Sequence, residues 1–334
     1  VRRPEGKGRG VVILLALAFL LLSFFLCVAL GATSISFSEV LQYLGSGSAS
    51  DDPSGTIFWQ IRLPRVLLAF IVGACLSVAG CVLQGMLLNP LTDPYVTGVS
   101  SGAALGAAIG IVTHIAIVPW LPILALIGGM LTLLVVYSFS RRHGQVNIFV
   151  LLLAGVTISQ LLSAVIAVLM LKAGRDVHQL LYWLLGSFSG RSWTEVQIAL
   201  ASIPFLVVPF FFAKELNIML QGEQRALELG VDVERVKKVL LVVAAVLTAI
   251  AVSVSGIIGF IGLVMPHLAR LVIGPDHRKV LALSMVFGAA IMALSDLAAR
   301  TIIAPSELPV GVVTTFFGAP LFVYLLRSKR GPRW

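Results

Sequence analysis

Charge is what this sequence has least of. Only 12% of its 334 residues are Asp, Glu, Lys or Arg, against 58% hydrophobic, where a soluble domain carries about a quarter. There is too little polar material to cover a water-soluble fold of this length, so the chain reads as an integral membrane protein. The alternating polar and apolar residues of an outer-membrane barrel are missing as well. The apolar runs are long and continuous, and helices are the remaining way to satisfy backbone polar groups in lipid. Cysteine is scarce: Cys27, Cys75 and Cys81 fall inside apolar runs with neither zinc-site spacing nor a secreted disulfide pattern, and read as small packing residues. The five histidines are scattered, without metal-ligand spacing.

Chemistry-bearing motifs are missing too. There is no GxxxxGK(S/T) loop, so the chain does not hold ATP in that way. No Ser–His–Asp set, HExxH helix or paired-carboxylate site stands out, which argues against an intramembrane enzyme. Proton- or ion-coupled carriers depend on titratable groups in mid-membrane, and those positions are nearly bare. Asp93 lies in the turn NPLTDP. Asp296 precedes Arg300 by four residues, a spacing that predicts a helical ion pair. His267, after Pro266, reads as hydrogen-bonded packing. A secondary carrier is therefore the leading rival reading, short of the groups it needs.

What is present is a series of spans. Apolar stretches fit residues 11–30, 63–86, 97–113, 120–140, 147–171, 193–213, 239–256, 258–272, 279–297 and 310–327, about ten transmembrane helices in an all-α polytopic membrane fold of one domain, residues 1–334. The first stretch exceeds the 7–15 residues of a signal-peptide core and is read as a retained helix. With both termini placed in the cytoplasm, 18 of the 24 basic residues fall on the cytoplasmic side and 6 outside, as the positive-inside rule requires. The net charge of +9 thus reports topology, with no need for a nucleic-acid partner. Ala69, Gly73, Ser77, Cys81 and Gly85, and likewise Gly98, Gly102, Gly106 and Gly110, recur every four residues and predict close helix packing.

One polar block interrupts this pattern. Residues 214–238 carry ten charged residues, including LQGEQRALELGVDVERVKK, and the charge count places them in the cytoplasm. Glu223 to Leu229 suit two helical turns, with Glu223 at the favourable N-terminal end. Gly230 suits the position that ends such a helix, and Asp232 can cap the next. Ala226, Leu229 and Val233 offer a small apolar face. This short helix pair could seat in a groove of a soluble partner, consistent with a permease driven by a separate ATPase.

Several blocks carry a family likeness. IRLPRVLLAFIVGACLSVAGCVLQGMLLNPLTDPYVTGVSSGAALG (61–106), LLLAGVTISQ (151–160), GIIGFIGLVMPHLARLVIGPDHR (256–278) and SELPVGVVTTFFGAPLFVYLL (306–326) resemble the permease subunits of ATP-binding-cassette importers for iron–siderophore complexes, haem and vitamin B12, the type II importer fold. The resemblance covers nearly the whole chain. It implies a second permease copy, two cytoplasmic ATPases that hold ATP and magnesium, an external binding protein, and no cofactor in this chain. It puts ATPase coupling at Gly222, Glu223, Arg225, Ala226, Leu229 and Gly230. Docking of the binding protein falls to Arg62, Arg65 and Arg300 at the outer mouth, and the cytoplasmic gate to Asn89, Pro90 and Leu91 with Asn147, Ile148 and Phe149. The second gate loop is about two residues longer than in a vitamin B12 permease, and Asn147–Phe149 replace small hydroxylated residues there, which counts against vitamin B12. Thr157, Gln160 and Ser163 are expected to line the path or to be satisfied inside the bundle. The implied location is a bacterial cytoplasmic membrane, the cargo a ferric siderophore or haem before cobalamin.

Overall fold

The computed structural model describes residues 7–31, 35–46, 52–115, 120–142 and 145–327. Arg2, Arg3, Lys329, Arg330 and Arg333, which enter the charge count, lie outside them. Seven helical stretches are long and apolar enough to cross a membrane: Gly10–Ala29, Pro53–Met86, Trp120–Ser140, Ile148–Lys172, Trp193–Phe211, Val233–Ser255 and His277–Thr301. Three shorter apolar helices, Val99–Val112, Ile261–Ile273 and Val310–Leu325, complete the expected ten. We label the helices α1 (Lys7–Ala29), α2 (Phe37–Ser46), α3 (Pro53–Ile57), α4 (Leu63–Met86), α5 (Val99–Val112), α6 (Trp120–Ser140), α7 (Ile148–Lys172) and α8 (Val177–Leu184). There follow α9 (Trp193–Leu200), α10 (Ile203–Phe211), α11 (Ala213–Met219), α12 (Glu223–Glu228), α13 (Val233–Ser255), α14 (Ile261–Ile273), α15 (His277–Thr301) and α16 (Val310–Arg327).

Three expected boundaries shift for local reasons. The sixth span is broken into α9 and α10 at Ala201–Ser202, because Pro204 in the first turn of α10 has no N–H to continue the ladder. The seventh begins six residues early, since the Asp232 carboxylate accepts the Arg235 N–H at 3.1 Å and caps the helix outside its apolar run. The eighth starts only at Ile261, after Gly256 and Phe260 take left-handed φ values of 73° and 69°.

The core forms around α4, 83% of whose most apolar stretch is buried, and α13, with 78%. α14 and α15 pack on α4, while α5, α6 and α7 form a second layer reached through α13. The small-residue stripe explains the intimacy of the first layer. A Cβ on Gly80 would stand 1.9 Å from the Gly262 carbonyl oxygen of α14, and one on Gly73 would stand 2.1 Å from the Gly288 carbonyl oxygen of α15. Backbones this close leave no room for a methyl group, and in lipid such packing is a main source of helix association. At the other extreme α7 has only 11% of its most apolar stretch buried. A two-stranded hairpin, Arg141–Arg142 with Gln145–Val146, joins α6 to α7.

Candidate functional site

At the charged block of residues 214–238 the expected geometry is present. Gly222 at φ 103° precedes α12, Glu223 opens it, and Gly230 at φ 80° follows its last turn. The face it presents is different from the one expected. Ala226 and Val233 are buried, packed into the main core, so the apolar side chains left outside are Leu227 and Leu229, 60% and 59% exposed. The i, i+3, i+7 spacing does not keep one face, because α12 ends at Glu228 and the chain turns at Gly230, which leaves Leu229 outside while Ala226 and Val233 go in. Arg225 is also exposed.

Sequence reasoning passed over Lys237. It is 4% exposed, and its ammonium lies 2.7 Å from Glu223 Oε2 and 3.7 Å from Glu234 Oε1. The other oxygen of Glu234 accepts the backbone N–H of Val146 at 3.0 Å. The signal was there: Lys237 stands four residues after Val233 and three before Leu240, on the buried stripe of α13, where an unpaired lysine would be costly.

The expected gate segments are held by local hydrogen bonds. Asn89 Oδ1 accepts the Leu91 N–H at 2.9 Å, an Asx turn. Gln84 Nε2, buried in α4, donates to Thr92 O at 3.2 Å and Leu263 O at 3.1 Å, tying this turn to α14. Asn147 caps α7, its Oδ1 accepting the Val150 N–H at 3.1 Å, while Ile148 is partly buried and Phe149 is 75% exposed. Thr157, Gln160 and Ser163 are all exposed on α7, so they are not polar groups hidden inside this chain's bundle. Thr157 back-bonds to Leu153 O at 2.8 Å. Gln160 is the middle residue of a 25-residue apolar helix, about 18 Å from either end.

The three arginines that the resemblance assigns to binding-protein docking are largely taken up by contacts within the chain. Arg62, Arg65 and Arg300 are 4%, 6% and 8% exposed. Arg65 clamps Asp296 through Nε and Nη2 at 2.8–3.1 Å and Glu307 through Nη1 and Nη2 at 3.0 Å. The expected i, i+4 pair is present, with Arg300 Nε 3.9 Å from Asp296 Oδ2, but the shorter bonds to Asp296 come from Arg65. Arg62 donates to Val28 O and Ala29 O at 2.8 Å, and Arg300 to Cys27 O. The last carbonyls of α1, orphaned by the helix end, are satisfied by two guanidiniums in the manner of a C-terminal cap. Burial of Glu307 would raise its pKa, but the hydrogen bonds and charge of Arg65 outweigh this and hold it below the usual carboxylate range. No arrangement of three or more His, Cys, Asp or Glu able to hold a metal occurs among the described residues.

Comparison with known proteins fits this anatomy. The chain is 40% identical to an uncharacterized ABC transporter permease protein, YvrB, of Bacillus subtilis, over 98% of this chain and 96% of that one. It is 41% identical to the cobalamin import system permease protein BtuC of Halobacterium salinarum, over 89% and 79%. It is 38% identical to the hemin transport system permease protein HmuU of Yersinia pestis, over 91% of each. A solved structure described as an inward-facing metal-chelate type ABC transporter superposes with a TM-score of 0.85 at 29% identity, over 95% of this chain and 99% of that one. The model of the FecCD transport family matches residues 19–328, and this multi-pass membrane protein, an ABC transporter permease in fold and sequence, belongs to that family.

Proposed function

We propose that the chain is the permease subunit of an ATP-driven importer for a bulky metal chelate in a bacterial cytoplasmic membrane. Two copies would enclose the path, with residues 214–238 and both termini in the cytoplasm. It performs no bond chemistry, and ATP and magnesium belong to a separate ATPase pair. The observation that carries this reading is Gln160, exposed with Thr157 and Ser163 at mid-span of a helix that its own chain barely covers. A side-chain amide at that depth is costly against hydrocarbon. A second copy across a hydrated path supplies what it needs. The gate is assigned to Asn89–Leu91 and Asn147–Phe149.

For cargo we favour a ferric siderophore or haem over cobalamin, on the replacement of small hydroxylated residues by Asn147–Phe149. The cobalamin and hemin names of the relatives above support the chelate class. An external binding protein is assigned to the outer end. Because Arg62, Arg65 and Arg300 are occupied internally, they serve docking by holding the edges of α1, α4 and α15 in place. Two measurements test the assignment. Liposomes containing this chain, its ATPase and its binding protein, with ATP enclosed, should accumulate ferric siderophore or haem; accumulation of cobalamin alone would reverse the cargo order, and gradient-driven uptake without ATP would sink the importer reading. In the second, the double variant Leu227→Asp, Leu229→Asp should lose ATPase co-purification while the permease keeps its melting temperature. Full retention of the ATPase would move the docking surface off α12.

A further inference from the structure

Resting on that reading, we infer that Lys237 and Glu234 form a charged relay that transmits movement of α12 to the gate loop and to the path helix α7. The chain of contacts is continuous. Glu223, the first residue of α12, meets the Lys237 ammonium at 2.7 Å, and Lys237 meets Glu234 Oε1 at 3.7 Å. Glu234 Oε2 accepts the Val146 N–H at 3.0 Å. Val146 precedes Asn147, whose side chain caps α7, the helix that carries Gln160. A coupling helix, a membrane helix and a gate strand are therefore joined by one ammonium and two carboxylates.

Two features favour transmission over mere support. Lys237 is almost wholly buried while its partners Glu223 and Glu234 are about 40% exposed at the side chain. The lysine is therefore the fixed centre about which two peripheral groups are held. A buried ammonium that loses one carboxylate is strongly disfavoured, so displacement of Glu223 loads the remaining link to Glu234. The receiving end is lightly held by its own chain, because the most apolar stretch of α7 is the least buried of the candidate spans.

The test uses the complete complex in liposomes. In Lys237→Met, ATP hydrolysis should continue while chelate delivered per ATP falls about fivefold or more, the lower range of a typical coupling energy, and Lys237→Arg should restore much of the ratio. A spin label at Phe149→Cys should respond to ATP in the parent and lose that response in Lys237→Met, a readout that a purely stabilising lysine would leave intact. Glu234→Gln, which preserves shape and the Glu223 contact, covers the case in which Lys237→Met does not assemble, and should uncouple in the same way. Parent-like transport per ATP and an intact label response in either assembled variant would overturn the relay. Absence of ATP-dependent uptake by the parent complex would instead overturn the importer reading on which it stands.

Discussion

Replacing Arg65 by alanine is expected to destabilise the permease by about 3–5 kcal/mol, the cost of breaking a buried ion pair from one side. The substitution strands Asp296, 1% exposed, without its bidentate partner. It also releases Glu307 and with it the tie between the 302–309 connection and the first turn of α4. Thermal unfolding in detergent should show a large fall in midpoint, and Asp296→Asn in the same background should return part of it by removing the stranded charge. Lysine at position 65 should recover little, since a point charge cannot span two carboxylates in a fork. Loss of binding-protein docking in Arg65 variants therefore has meaning only when measured on protein shown to be folded. Unfolding at the parental temperature would show that the cluster does not hold α4, α15 and the 302–309 connection together, and would return the arginine to direct docking.

Leucine in place of Gly80 should be comparably damaging for a steric reason. The first added carbon already lies 1.9 Å from the Gly262 carbonyl. Because the obstruction is backbone, neither rotamer change nor side-chain shift relieves it, so α4 and α14 must separate. Overpacking typically costs about 1–3 kcal/mol, and more where the backbone has to move. Separation would also strain the Gln84 hydrogen bond to Leu263 O at 3.1 Å. Gly10→Leu is the matched control, because nothing lies within 4 Å of a Cβ there. Equal yields and melting temperatures for the two variants would refute the close-contact account of the core.

These two sites mark how far sequence alone reached. The ten spans were legible because hydrophobic length is dictated by the bilayer itself, and the cap at Asp232 and the stop at Gly230 because they are local chemistry. The stripe through Gly73 announced close packing, though not that its neighbours would be Gly288 and, through Gly80, Gly262. Of the two partners of Asp296, spacing gave Arg300, one turn away, but Arg65 was out of reach, 231 residues distant in the chain and brought there only by the assembled bundle. The same holds for Ala226, which spacing placed beside Leu229 and packing turned the other way. Exposure of Gln160 could not be read either, because an apolar helix looks alike whether it is covered by its own chain or by another.

The knot at Gln84 bears on how such a molecule moves. One side-chain amide fastens α4, the Asn89–Leu91 turn and α14 together, and α14 and α15 are locked on α4 by glycine contacts too tight to slide. That half is a chassis. α7 is keyed as tightly at Gly155, where a Cβ would stand 2.1 Å from the Val96 carbonyl oxygen, but little of the rest of the helix is covered by its own chain. A body pinned at one close contact and open along the remainder turns about the pin more readily than it slides past it. Gly155 is accordingly the fulcrum of this fold.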